Sequence, residues 1–167
     1  MISLAVVFFA VAAACALPRD EASHQQVLSY ELFDGRGAPY GWRELSRTGC
    51  TDAALALLGA YAAANAARLT EAQRLELSFH SGQTLAFAGR ENEALRHFEA
   101  AASSSAPNEW QTYVAATLAF LRHDPDAMDA ARAAYARIAP GSMRLRIIDG
   151  FIACANEPYA RAVHCRM

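Results

Sequence analysis

The sequence predicts an all-α protein, and three observations predict it. No stretch alternates apolar and polar residues with the period of two that a half-buried strand requires. From Thr51 onward, apolar residues recur at helical spacing between capping and breaking residues. Alanine, the best helix former and small enough to let helices approach closely, is used heavily along the whole chain.

The first element is a leader. Ile2 to Leu17 is apolar except for Ser3, and small residues gather toward its end at Ala12, Ala13, Ala14 and Ala16. Sixteen residues rise about 24 Å as a helix, short of the roughly 30 Å hydrocarbon core, so the segment reads as a signal peptide rather than a membrane span. Ala14-Cys15-Ala16 supplies the small-x-small pattern, which places the leader at residues 1–16 and cleavage before Leu17. No Lys or Arg lies upstream, leaving the terminal amine as the only positive charge there. Val11-Ala12-Ala13-Ala14-Cys15 also resembles a lipobox loosely, with Ala12 where a large aliphatic residue belongs. Membrane attachment is expected only if Cys15 is lipidated. The location expected is therefore periplasmic or secreted.

Residues 17–50 are punctuated by Pro18, Gly35, Gly37, Pro39 and Gly41, and Asp34-Gly35-Arg36-Gly37 reads as a turn. We expect an irregular N-terminal arm whose Tyr30, Leu32, Tyr40 and Trp42 pack on a helical body. Its glycines do not make a phosphate cradle, because no strand precedes them and no Gly-Lys-Ser follows. The helical domain then occupies residues 51–167. Thr51 or Asp52 caps a first helix to about Ala66, with Leu55, Leu58, Tyr61 and Ala62 on one stripe. Thr70-Glu71 opens a second to about Ala88, ended by Gly89, and a third runs from Glu91 to the polar break Ser103-Ser104-Ser105-Ala106-Pro107. Asn108 caps a fourth to Leu121, and Asp124-Pro125 opens a fifth to Ile138. Pro140-Gly141 breaks that helix, Ser142 caps a sixth to about Asn156, and a short seventh follows Pro158.

Charge and motif content argue against several functions. The net charge is −2, every basic residue is Arg, and no basic stripe gathers, so nucleic acid is not an expected partner. The five histidines, at 24, 80, 97, 123 and 164, form no His-x-x-x-His or His-Glu-x-x-His pair, so no metal site is expected. Helical phase gives Cys50 and His80 no reason to meet as nucleophile and base, and no serine lies in a Gly-x-Ser-x-Gly context. Glu91, Glu93 and Glu99 read as a solvated helix face. No catalytic residue and no cofactor is expected.

Between Leu75 and Pro107 one spacing is more specific. Gly82 lies at a small position of one helix with Leu85 following it, Gly89 sits in the turn, and Ala94, Phe98 and Ala101 give small, bulky and small positions on the next helix. This spacing resembles a tetratricopeptide repeat (TPR), a helical hairpin of about 34 residues whose copies stack into an array. A glycine inside a helix costs about 1 kcal/mol relative to Ala. Close approach of Ala94 is the expected reason for Gly82. A weaker second copy, with Ala119, Ala131, Tyr135 and Ile138, follows about 37 residues on. The resemblance covers roughly Leu75 to Pro140, with Thr51 to Ala66 and the C-terminal helices as caps. It implies stacked antiparallel hairpins that bind a peptide or partner helix along a concave groove. The groove positions it selects are Glu76, Phe79, Gln83, Ala86 and Phe87, joined by Tyr113 and Phe120 from the next unit. A structural or regulatory subunit, associating with itself or an enzyme through the aromatic arm, is the other reading.

Loss or lipidation of Cys15 leaves Cys50, Cys154 and Cys165 in an oxidising compartment. On one continuous helix Cys154 and Cys165 would lie about 16 Å apart, beyond the roughly 7 Å limit for a bridge. Pro158 ends the first helix and lets the chain return. A Cys154–Cys165 disulfide with Cys50 free is therefore the simplest expectation, with Cys50 as partner of either cysteine left open.

Overall fold

The computed structural model describes residues 15–35, 41–102 and 108–167, and every regular element among them is an α-helix. The expected leader core, the Gly37–Tyr40 stretch and the Ser103–Pro107 break lie outside the described residues. Among the described residues no helix is long and apolar enough to cross a membrane. The chain forms two compact units, one up to Gln73 and one from Arg74.

In the first unit the arm is largely helical, which corrects the irregular arm expected from its glycines and prolines. Helix α1 spans Arg19–Val27, α2 Tyr30–Phe33 and α3 Trp42–Arg47. Asp20 and Glu21 in the first turn of α1 and His24 in its last complement the helix dipole. Only Gln25 of α1 is buried, so the helix carries no apolar period to betray it. Ser29 caps α2 by accepting from the Leu32 amide at 3.4 Å. Helix α4, Thr51–Ala64, is the unit's core element and buries Ala54, Leu57, Leu58 and Tyr61. Phe33 packs from the arm, stacked on Tyr61 with ring centroids 3.7 Å apart, whereas Leu32 is 62% exposed. Tyr61 donates its hydroxyl proton to the Leu28 carbonyl at 3.1 Å, and Asn65 Nδ2 donates to the Gln26 carbonyl at 2.9 Å. These bonds fix the arm where apolar periodicity does not. Trp42 is buried, with the Arg43 guanidinium 4.1 Å from its ring centroid and bonded to Asp34 at 2.8 Å.

Cys15 is bonded to Cys50, with Cα atoms 5.3 Å apart. Cys50 therefore has a partner, contrary to the free thiol expected once Cys15 is removed or lipidated. Cys154 and Cys165 form the second bridge, and no cysteine is free. Two disulfides fit an oxidising compartment.

The second unit is a succession of antiparallel hairpins. Helix α5, Glu71–Phe87, opens on a reciprocal capping box: the Gln73 amide donates to Thr70 Oγ1, and the Thr70 amide to Gln73 Oε1. Gly89, at φ +75°, takes the left-handed conformation that turns the chain into α6, Glu91–Ala101. Side-chain caps start the next three helices: Asn108 for α7, Glu109–Leu121, Asp124 for α8, Pro125–Ile138, and Ser142 for α9, Met143–Ala153. Helix α7 is central, packing on α6, α8 and α9, and it buries residues on all sides. The chain then turns at Pro158 into α10, Tyr159–Ala162, which packs back on α9.

Two glycines make close approaches possible. The three atoms nearest to a Cβ built on Gly82 all belong to the Phe98 ring, at 3.0 to 3.1 Å. The ring, not Ala94, is thus what Gly82 accommodates: the bulky side chain of α6 lies across the small position of α5. Gly150 on α9 admits the Ala162 carbonyl oxygen, which would lie 2.5 Å from an added Cβ. That approach seats α10.

Candidate recognition surface

Of the residues selected for a concave groove, four converge on one side chain of the chain's own C-terminal segment. Gln83 Nε2 donates to the Tyr159 hydroxyl at 3.3 Å, and the Phe87 and Phe120 rings lie 5.2 and 6.2 Å from the Tyr159 ring. Tyr113 lies close enough for its hydroxyl to act electrostatically on that of Tyr159. Phe98 and Phe151 complete the surround at 6.1 and 5.6 Å. Helices α5 and α7 thus offer an aromatic-lined stripe, and α10 fills it.

The placement of the seven residues differs accordingly, and Ala86 is fully buried. Phe79, Tyr113 and Phe120 are buried among the helices. Phe79 meets Phe98 at 4.9 Å, Trp110 at 4.8 Å and Tyr113 at 5.6 Å. Gln83 and Glu76 are partly accessible, and Phe87 is 45% exposed although its other side covers Tyr159. Of the residues chosen for the repeat, Gly82, Leu85, Ala94, Phe98 and Ala101 are buried, while Gly89 lies exposed in its turn.

Burial sets the electrostatics of this surface. It pushes the Tyr113 hydroxyl up to about 12, and Tyr159, more deeply enclosed, is raised well above the ordinary range of a phenol. Both hydroxyls therefore stay protonated and serve as hydrogen-bond groups. His80 Nδ1 lies 3.3 Å from Gln83 Oε1, so the amide that holds Tyr159 is itself oriented from one helical turn away. At the edge of the stripe, the Arg144 guanidinium lies 5.5 Å from the centroids of both Trp110 and Tyr113 and bonds Glu109 at 3.1 Å. The Glu109 carboxyl is held below its usual range, first by the Tyr135 hydroxyl that donates to it at 2.7 Å and then by Arg144.

Three contributors escaped sequence reasoning. Glu91 does not belong to a merely solvated face: its carboxylate accepts from the Tyr159 amide at 2.7 Å and so supplies the N-terminal cap that Pro158 cannot. Glu93, by contrast, pairs with Arg90 at 2.8 Å on the surface. Trp110 and Tyr159 are the other two. Only the Pro158-Tyr159 step marked that segment as a return, and nothing local marks where it docks.

Compared with known proteins, the chain matches no family model, no curated protein and no solved structure.

Proposed function

We propose that the chain is an exported protein-interaction module, a short TPR-like stack of hairpins whose α5–α7 face recognises a protein or peptide partner. The observation that carries this reading is the meeting of Gln83, Phe87, Tyr113 and Phe120 on Tyr159. Positions selected for ligand contact hold an aromatic side chain at the start of a helical turn, with a carboxylate on its backbone amide. The tail fills the deep part of the stripe. The outer part, the exposed side of Phe87, remains for a partner, where an aromatic ring supplies contact area. Two disulfides and the apolar leader support an envelope or secreted location, and a Cys15 sulfur engaged with Cys50 argues against lipidation there.

The test is site-specific photo-crosslinking in the native envelope. A benzophenone amino acid at Phe87 is expected to capture a discrete protein partner, and the same group at Ile138, equally exposed at 45%, is not. Identical capture at both positions, or none at Phe87, rejects the surface. A second reading, a subunit that self-associates through its N-terminal arm, is favoured by Val27 and Leu32, exposed at 71% and 62%. It predicts a dimer in sedimentation that Leu32→Asp dissociates.

A further inference from the structure

In the second unit a half-open cavity of about 260 Å³ lies where the end of α7, the start of α8 and the end of α9 meet. Its apolar wall is the stacked pair Phe120 and Phe151, with centroids 4.6 Å apart, together with Met128 and Ile152. The volume is just below the usual range of small-molecule pockets, about 300 to 1,000 Å³, and suits one ring or one branched aliphatic group.

The formal charges of the lining are carboxylates. Asp124 and Asp129 both contribute to it, alongside His123 and Asn156, and no Arg does. Asp124 is committed through one oxygen to the Ala127 amide at 3.0 Å, which offsets the positive start of α8. Helices α7 and α9 both end here, at Leu121 and Ala153, so the negative ends of two helix dipoles add to the two carboxylates. Arg122, the adjacent cation in sequence, is engaged with Glu99 at 2.7 Å. An apolar pocket under a negative rim selects a ligand with an apolar body and an attached positive charge.

We propose that this cavity binds a small organic ammonium ion. The apolar body lies on Ile152 and the accessible edges of Phe120 and Met128, with the fully buried Phe151 behind them, and the ammonium group sits at the rim beside Asp129 and Asp124. The cavity shares the Phe120 ring with the α5–α7 stripe, but the variants that test it, at Asp129 and Ile152, lie outside that stripe, so the two readings fail independently.

Titration of the full chain with phenethylammonium, followed by the methyl resonance of Met128 in methionine-labelled protein, tests the assignment. Saturable shifts with a Kd of about 1 mM or tighter are expected, with 2-phenylethanol and 3-phenylpropionate each at least about tenfold weaker. Asp129→Asn is expected to weaken the amine about threefold and to leave the alcohol unchanged. Ile152→Trp, a substitution at a position 37% exposed, fills the mouth and is expected to abolish the shifts while the melting temperature holds. The proposal is overturned by an unmoved Met128 methyl at about 10 mM amine. Equal affinity for amine and alcohol, or binding that survives Ile152→Trp, overturns it as well.

Discussion

Replacing Gly82 by Ala sets two effects of opposite sign against each other. In a helix interior the change ordinarily stabilises by about 1 kcal/mol, because Ala loses less backbone entropy than Gly. Here the new Cβ lies 3.0 to 3.1 Å from three atoms of the Phe98 ring. Ordinary contact needs several tenths of an ångström more, so the ring has to retreat. Phe98 is fully buried, with Phe79 and Tyr159 at 4.9 and 6.1 Å, and has no open side to move into. Overpacking of this kind costs about 1 to 3 kcal/mol, which exceeds the propensity gain and leaves a net loss of about 1 kcal/mol. Gly82→Leu places three further carbons in the same space and is expected to cost about 3 kcal/mol or more. Gly59 in α4 is the internal control: it is exposed and nothing lies within 4 Å of its added Cβ, so Gly59→Ala is expected to gain about 1 kcal/mol. Denaturant unfolding followed by circular dichroism measures all three. If Gly82→Ala stabilises as Gly59→Ala does, the close seam between α5 and Phe98 is refuted.

Gly150→Ala is expected to be worse than Gly82→Ala in the same assay, because the atom it meets at 2.5 Å is the backbone oxygen of Ala162, which no rotamer change can move. Alkaline pH is expected to unfold the second unit. Tyr113 ionises near 12 when folded but near 10 when unfolded, so its contribution is fully present below about pH 10 and is lost, by about 3 kcal/mol in all, as pH rises through the folded value. Tyr159 adds to the loss in the same direction. Tyr113→Phe should flatten the dependence of urea midpoints on pH above about 10, and an unchanged slope would show that this hydroxyl is not enclosed. A non-reducing digest of the exported chain is expected to yield the linked pairs Cys15–Cys50 and Cys154–Cys165, with no alkylated cysteine. Processing then falls before Cys15, and in the chain-entropy account the two loops contribute about 4 and 3 kcal/mol. Recovery of alkylated Cys50 would restore cleavage before Leu17.

The sequence by itself determined what depends on neighbours along the chain. Thr70, Asn108, Asp124-Pro125 and Ser142 open helices because their side chains reach amides two or three residues away, and Gly89 ends one because its φ is positive. The all-α class, the helix order from Thr51 and the return at Pro158 follow from such local terms. Only the tertiary structure decided what depends on distant partners. Helix α1 has no apolar stripe and is held by bonds from Tyr61 and Asn65, more than thirty residues away. Glu91 caps a helix 68 positions on, and the reason for Gly82 is a ring rather than a methyl group. The residues of the stripe on α5 and α7 were selected through the repeat resemblance, since helical phase groups residues within each helix but not across two. That the chain's own Tyr159 fills this stripe was not legible, because a four-residue helix carries no periodicity and its docking place is set by shape and desolvation among α5, α6, α7 and α9.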